Sequence, residues 1–215
     1  MPNQAVATKI SPLEVGPFKS TGCFLQFQIE KLRNGSCPSA GRDLPRDFNV
    51  IVEIPANSAP IKYEVDKESG ALFVDRFVGT AMHYPCNYGY IPQTIADDGD
   101  PVDVCVLTPF PLMTGTVCRC RAVAVLVMED EGGIDWKILA VPVSKVCLRY
   151  AKWKSADDVP ADVLDQIRHF FEHYKDLEPG KWVKVKGWKS PEEAEKLIME
   201  GVHGYESMEV KPKTA

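Results

Sequence analysis

The sequence contains no apolar run close to the roughly 20 residues that a bilayer-spanning helix needs, and its N-terminus lacks the charged-then-apolar order of a secretory signal. Seven cysteines are present, but they form no C-x-x-C motif and no other metal-ligand spacing. These absences argue against a membrane protein, a secreted disulfide scaffold and a zinc module. We therefore expect a cytoplasmic protein whose thiols are reduced and mostly buried.

Two features of nucleotide-binding and nucleic-acid-binding proteins are also missing. Basic residues are not in excess, since the formal net charge is −5, whereas general nucleic-acid binding relies on a basic surface that displaces counterions from phosphates. No G-x-x-x-x-G-K-[ST] pattern occurs, which argues against a phosphate-cradling P-loop. A small anionic substrate held through metal ions is still compatible with this charge.

What is present is the composition of an ordinary globular domain. The chain has 215 residues, of which 45% are hydrophobic and 26% are charged, and this is enough for one substantial core. Residues 1–40 carry scattered Pro, Gly and Ser without a clear period, and we predict that they form a poorly ordered N-terminal extension. Residues 41–215 are predicted to form the single folded domain.

From Phe48 onward the pattern is rich in strands and ends in helices. Short apolar or alternating segments predict strands at 48–54, 61–65, 71–77, 102–107, 116–128, 136–141 and 182–188. Helical spacing predicts one helix after Ser155, and a capping box at 190–193 predicts the start of a second. Together these segments indicate an α+β protein, a closed antiparallel β-barrel of the OB type with helices outside.

The most informative feature is the concentration of four carboxylates in residues 97–103, Asp-Asp-Gly-Asp-Pro-Val-Asp. Like charges at this density raise one another's pKa and disfavour folding unless cations neutralise them. Oxygen ligands so arranged are typical of a site for a hard divalent metal. Asp98 and Asp100 would share one face of an extended strand and Asp103 the other, so convergence requires a bend, which Gly99 and Pro101 could make.

Two simpler interpretations of residues 97–103 stay open at this point, an acidic surface turn and an isolated calcium loop. An EF-hand is excluded, because no Glu follows at the required distance and no flanking helix pair is evident.

Charged residues also recur at regular spacing on the predicted strands. Lys62 and Glu64 leave the same face of their strand, and Asp135 and Lys137 repeat this arrangement on a later hairpin, with Asp130 on the opposite arm. A solvated strand face is the usual explanation for one such pair. Their repetition indicates instead that a barrel gathers acids and bases at one mouth.

Other candidate groups lie at strand ends and in aromatic segments. Glu53 ends the first long strand and Arg76 lies late in the third. The aromatic residues of 83–90 are more often core or loop packing than ligand contacts, although their hydroxyls can donate to an anion. Tyr174 has the spacing of a core aromatic, and its neighbour Lys175 would face elsewhere on a regular helix.

The segment Asp98-Gly99-Asp100-Pro101-Val102-Asp103 resembles the signature of the soluble family I inorganic pyrophosphatases of bacterial type. The similarity extends from about residue 42 to residue 200, through Glu53-Ile54-Pro55, Lys62-Tyr63-Glu64, residues 73–76, 84–90 and 130–137, and His173-Tyr174-Lys175. It implies a five-stranded OB-like barrel with outer helices. The implied reaction is magnesium-dependent hydrolysis of inorganic pyrophosphate to two phosphates, by attack of a metal-activated water.

The resemblance also implies roles for individual residues, with several Mg²⁺ ions in each active site. The implied metal ligands are Asp98, Asp103, Asp135, Asp130 and Glu53, the last acting through water. The implied phosphate contacts are Lys62, Arg76, Lys137, Tyr88, Tyr174 and Lys175. Asp100 is implied to be the base that faces the attacking water, with Glu64 and Tyr84 in supporting roles.

The implied assembly is a homo-oligomer, a hexamer, with no nucleic-acid or membrane partner. Two alternatives compete with this interpretation. One is an OB-fold module that binds single-stranded nucleic acid through a basic groove with aromatic platforms, which the acidic segment opposes. The other is a metal-dependent phosphatase that acts on nucleotides or organic phosphates.

Overall fold

A computed structural model describes residues 38–66 and 70–209, with side chains up to residue 207. Most of the predicted N-terminal extension and of the predicted turn at 67–70 lies outside these residues. Ala40 is buried, and its carbonyl oxygen accepts a 2.7 Å hydrogen bond from the backbone N–H of Asn49. The last residues assigned to the extension therefore pack against the domain.

The described residues form nine strands and two α-helices in chain order. The strands are β1 (Gly41–Asp43), β2 (Asp47–Ile54), β3 (Ile61–Val65), β4 (Leu72–Phe77), β5 (Asn87–Tyr90), β6 (Asp103–Val106), β7 (Val117–Asp130), β8 (Gly133–Pro142) and β9 (Val183–Lys189). The helices are α1 (Ala161–His173) and α2 (Pro191–Glu209). Two short 3-10 turns, Leu148–Tyr150 and Ala156–Asp158, precede α1.

Five of these strands close into a ring in the order β2, β5, β6, β8 and β7, because β2 pairs with both β5 and β7. The ring confirms the predicted five-stranded OB-like barrel. The prediction of a fully antiparallel barrel was wrong at one pairing, because β6 and β8 are parallel. The other four pairings of the ring are antiparallel. In the sequence, β7 connects β6 to β8. Because β8 is antiparallel to β7, it runs in the same direction as β6. The strands β3 and β4 form a separate antiparallel hairpin.

Both helices pack against the barrel through alternate residues of the long strand β7. Leu126 and Met128 are buried in one cluster with Phe170 of α1. Val125 lies between Ala124 and Leu126 in sequence and is buried in a second cluster with Ile198 of α2. Because successive strand side chains leave opposite faces, one continuous apolar segment can bury surface from both helices.

The predicted elements also differ from the observed ones at two places along the chain. Ser155 does not begin the long helix; its side chain accepts a hydrogen bond from the backbone N–H of Asp157 and caps the short turn at 156–158. Val159 and Pro160 then have extended backbone angles, so α1 begins at Ala161. The segment 87–90 forms strand β5, which the sequence pattern did not predict, while Tyr84, Tyr88 and Tyr90 are buried in the core as expected.

No helix among residues 38–66 and 70–209 combines the length and the apolar character that crossing a bilayer requires.

The pairing of β5 with β2 depends on the glycine at position 89. Gly89 lies opposite Val52, and a Cβ atom there would be 1.9 Å from the carbonyl oxygen of Ile51. No side chain fits at that distance. The close approach places the tyrosines on either side of Gly89 against the end of β2.

Gly89→Ala should lower the free energy of unfolding by at least about 3 kcal/mol, because backbone must move to admit the methyl group. Urea unfolding followed by circular dichroism measures the change. Gly79→Ala is the control, since its Cβ would meet the Cβ of the exposed Leu177 at 3.3 Å and no backbone atom closer than 3.9 Å; we expect a change below about 1 kcal/mol. Equal losses in the two variants would contradict this account of the β2–β5 contact.

Candidate active site

The acidic segment forms a tight turn ahead of β6, which confirms the predicted bend. The side chain of Asp98 accepts a 3.0 Å hydrogen bond from the backbone N–H of Asp100. The carbonyl oxygen of Asp100 accepts one of 2.7 Å from Ala96. Gly99 has a φ of 89°, a left-handed conformation that favours glycine. The turn leaves Asp98 and Asp100 exposed and brings Asp103 to the first position of β6.

A buried ammonium group lies where β6 and β8 run side by side. Val104 pairs with Ile138, so the preceding residues, Asp103 and Lys137, are also neighbours. The Nζ atom of Lys137 is 2.5 Å from Asp103 Oδ2 and 2.9 Å from Asp135 Oδ2. Only 6% of the Lys137 surface is exposed. Two carboxylates thus compensate one cation that is almost completely removed from water.

This arrangement changes the proton affinity of each group. Burial alone would lower the pKa of Lys137, but the charges of Asp103 and Asp135 and their hydrogen bonds raise it well above its usual range. Burial raises the pKa of Asp135, and the negative charges of Asp103 and Asp130 add to the rise, although Lys137 opposes it. The ammonium group is therefore charged at neutral pH, and Asp135 lies in a region of concentrated negative charge.

Tyr88 of β5 closes one side of this cluster. Its ring centroid is 5.8 Å from the Lys137 Nζ atom, and its hydroxyl is hydrogen-bonded to Asp103. Burial, with the charge of Asp103 added, raises the pKa of Tyr88 well above its usual value, so the hydroxyl keeps its proton as a donor. The Tyr84 ring packs 5.3 Å from Tyr88 and 4.5 Å from Phe170. Tyr84 therefore holds Tyr88 against α1.

A second cation comes from the turn that follows α1. The Nζ atom of Lys175 is 2.7 Å from Asp130 Oδ2 and 3.6 Å from Glu131 Oε1, at the tip of the β7–β8 hairpin. The prediction that Lys175 faces elsewhere on a regular helix was wrong. The helix ends at His173, and the turn directs Lys175 towards the hairpin, where only 7% of its surface is exposed. Its neighbour Tyr174 is also buried.

The β3–β4 hairpin adds a third group of charges. Lys62 is paired with Glu64 on its own strand and lies 3.4 Å from Asp75. Burial alone would lower the pKa of Lys62, but Glu64 and Asp75 raise it. Arg76, which pairs with Lys62 in the register, contacts Asp75 at 3.4 Å and Glu178 Oε2 at 3.1 Å. The hairpin therefore presents two cations held by acidic partners.

Two cavities meet at Asp103. One is lined by residues from β2, β3, β5 and the acidic turn, namely Glu53, Lys62, Glu64, Tyr88, Tyr90, Asp100, Pro101 and Asp103. The other includes Asp98, Asp103 and Asp135 in its lining. The bend thus directs Asp98 and Asp100 to different cavities. Glu53 is almost fully buried, and its Oε1 accepts a 2.8 Å hydrogen bond from the backbone N–H of Val65.

The predicted metal ligands share hard oxygen chemistry and partly share a cavity, but they do not form a compact cluster. Within the described ranges, no three His, Cys, Asp or Glu residues are grouped closely enough to hold a metal ion. Lys137 lies between Asp103 and Asp135. The chemistry of the donor set fits Mg²⁺, which prefers carboxylates and keeps several waters. Binding an ion between these two carboxylates requires local side-chain movement.

Three charged residues near the site were absent from the predicted set. Glu131 contacts Lys175, and although burial alone would raise its pKa, hydrogen bonds from Lys181 and the backbone lower that pKa to about 2. The sequence could have indicated Glu131, because it directly follows the predicted metal ligand Asp130. Asp75, next to Arg76, was equally visible. Glu178 had no such signal, because 102 residues separate it from its partner Arg76.

Comparison with known proteins gives the same family from sequence and from structure. The family model described as inorganic pyrophosphatase matches residues 50–206. The inorganic pyrophosphatase of Ralstonia nicotianae is 61% identical over 167 residues, which cover 78% of this chain and 95% of that protein. The inorganic pyrophosphatase of Escherichia coli strain K12 is 62% identical over 160 residues, which cover 74% and 91% respectively.

Two solved structures show the same fold. An inorganic phosphatase from Anaplasma phagocytophilum superposes with a TM-score of 0.77 at 49% identity, covering 78% of this chain and 98% of that one. An inorganic pyrophosphatase from Coxiella burnetii gives 0.75 at 54% identity, covering 78% and 99%. The family model spans most of the domain, and the alignments with the curated bacterial relatives cover more than nine-tenths of those proteins. This chain therefore belongs to the inorganic pyrophosphatase family.

Proposed function

We propose that this enzyme hydrolyses inorganic pyrophosphate to two phosphates in a reaction that requires several Mg²⁺ ions, by attack of water on one phosphorus. The observation that carries the proposal is the buried Lys137 ammonium group held between Asp103 and Asp135. It combines a cation able to hold a phosphate with carboxylates able to hold a metal, at one point of the barrel mouth.

The cations and hydroxyls of the site would hold the pyrophosphate anion. The residues assigned to this role are Lys62, Arg76, Lys137, Tyr88, Tyr174 and Lys175. Burial alone would lower the pKa values of Lys62, Lys137 and Lys175, but neighbouring acids raise all three above their usual value. Each lysine therefore keeps its charge at neutral pH. Arg76 adds a planar guanidinium, which suits bidentate phosphate contacts.

The carboxylates of the site would hold the metal. The residues assigned to this role are Asp98, Asp103, Asp135, Asp130 and, through water, Glu53. When bound, Mg²⁺ neutralises the pyrophosphate oxygens and makes a water more acidic. Burial raises the pKa of Asp135, and the negative charges of Asp103 and Asp130 add to the rise. A divalent ion would relieve the repulsion from these two carboxylates, which supports cation binding there.

Asp100 is assigned as the general base. It lines the same cavity as Lys62 and Tyr88, and the hydrogen bond from its backbone N–H to Asp98 sets its place in the turn. From there its carboxylate would accept a proton from the attacking water. Glu64 supports the site by pairing with Lys62, and Tyr84 by packing against Tyr88.

The homohexamer and the cytoplasmic location also stay proposals. Strand β4 exposes Phe73, Val74 and Phe77, each by more than half of its surface. Apolar surface of this kind on a small hairpin supports association with another copy of the chain.

The purified protein should release phosphate from pyrophosphate when Mg²⁺ is present and lose this activity when EDTA is added. Excess Mg²⁺ should restore it. Turnover of ATP and of a phosphate monoester, measured in parallel, should be at least about a hundredfold slower, because the site matches a small, highly charged anion. Similar turnover of all three substrates would favour the general phosphatase, and release unaffected by EDTA would contradict the metal requirement.

Asp100→Asn should lower kcat by roughly 10²- to 10⁴-fold while leaving Mg²⁺ affinity near the wild-type value, because it removes a base and not a ligand. Asp103→Asn should weaken Mg²⁺ binding as well. Steady-state kinetics and titration calorimetry with Mg²⁺ separate the two effects. An equal loss of Mg²⁺ affinity in both variants would refute the division of roles.

Lys175→Ala should raise KM for pyrophosphate by about tenfold, since it removes a charge that would contact phosphate. Lys145→Ala, which changes an exposed lysine outside the site, is the control and should leave KM unchanged. Thermal unfolding of both variants shows how much of the effect comes from lost stability. A wild-type KM in Lys175→Ala would remove Lys175 from the substrate contacts.

A further inference from the structure

The base of the acidic turn is buried, whereas its tip is exposed. It belongs to the connection between β5, which ends at Tyr90, and β6, which begins at Asp103. Residues 97–100 at the tip are exposed. Hydrogen bonds within the turn shape the tip itself. The place of the tip relative to Asp103 also depends on how the two ends of the connection are fixed.

One buried hydroxyl joins these two ends. Thr94 is 1% exposed, and its Oγ1 donates a 2.6 Å hydrogen bond to the carbonyl oxygen of Ile91. The same atom accepts a 3.0 Å hydrogen bond from the backbone N–H of Val102. A 3.0 Å bond from the N–H of Ile91 to the carbonyl of Val102 closes the base beside it. Val102 directly precedes Asp103, so this hydroxyl fixes the residue next to an assigned metal ligand.

Helix α2 supports the other side of the connection. The N–H of Ile95 donates a 2.8 Å hydrogen bond to the carbonyl oxygen of Gly201. A Cβ atom at Gly201 would lie 2.5 Å from a methyl carbon of Val102, and one at Gly204 would lie 2.7 Å from the carbonyl oxygen of Ile95. The helix thus presses directly on the connection. Thr94 is held between this helix and the turn, where its hydroxyl has little freedom to find other partners.

We propose that Thr94 is a positioning residue for metal binding: its hydroxyl sets the distance and angle between the exposed Asp98 and Asp100 and the half-buried Asp103. This role rests on the proposed function, because it takes Asp98 and Asp103 as metal ligands. Groups that orient metal ligands in this way commonly contribute between ten- and a hundredfold to metal affinity.

The test compares Thr94→Val, which keeps the shape but removes both hydrogen bonds, with Thr94→Ser, which keeps the hydroxyl. Mg²⁺ binding to the metal-free protein is measured by titration calorimetry, alongside the Mg²⁺ concentration that gives half-maximal pyrophosphate hydrolysis. We expect Thr94→Val to weaken Mg²⁺ binding by about tenfold or more, with the same shift in the kinetic midpoint. Thr94→Ser should restore most of the affinity.

Thr108→Val is the matched control for lost stability. The Thr108 hydroxyl also donates to a backbone carbonyl, that of Phe110 at 2.6 Å, and accepts a 2.7 Å bond from Asn87, but it lies beyond the opposite end of β6. It should lower Tm without changing Mg²⁺ affinity. If Thr94→Val folds poorly, Thr94→Ala removes the same hydroxyl without a branched side chain and is compared in the same way.

The outcomes separate the two proposals. Reduced Tm with wild-type Mg²⁺ affinity in Thr94→Val would overturn the positioning role while leaving the proposed function intact. Equal loss of affinity in Thr94→Val and Thr108→Val would also overturn it, since a general loss of stability would then explain both. Wild-type protein that hydrolyses pyrophosphate without any divalent ion would contradict the proposed function, and the role of Thr94 with it.

Discussion

The site depends on one buried cation and the two carboxylates that compensate it. An uncompensated charge at the depth of Lys137 would cost several kcal/mol. Parallel pairing of β6 with β8 places Asp103 beside Lys137, and the alternation of β8 places Asp135 on the same strand face. The barrel therefore cannot change the register of these two strands without separating charges that need one another. This constraint fixes the mouth of the barrel, around which the other groups are arranged.

Ring closure explains how residues from distant parts of the chain reach that mouth. Because β2 pairs with both β5 and β7, Glu53 at the end of β2 comes to line a cavity with Tyr88 and Asp103. The turn after α1 brings Lys175 to the tip of the β7–β8 hairpin. Each of these residues lies in a short local segment of the sequence. Closure of the sheet brings the segments together at the barrel mouth.

Features that depend on local pattern could be predicted, and features that depend on three-dimensional convergence could not. The strand at 61–65 alternates clearly and was predicted with its observed bounds, and Gly99 and Pro101 indicated the bend. The direction of Lys175 could not be predicted, because it depends on where α1 ends. The contact between Arg76 and Glu178 had no local signal, since it forms across 102 residues. The roles of the assigned site residues stay predictions, because they concern contacts with Mg²⁺, water and pyrophosphate and not contacts within the chain.

Asp103 lines two cavities. One is also lined by Asp98 and Asp135, and the other by Lys62 and Glu64. A charged ligand in either cavity changes the electrostatic potential in the other. A positive occupant of the first cavity favours a negative occupant of the second, and thermodynamic linkage makes the effect reciprocal. Cooperation between unlike ligands is thus built into the placement of a single side chain.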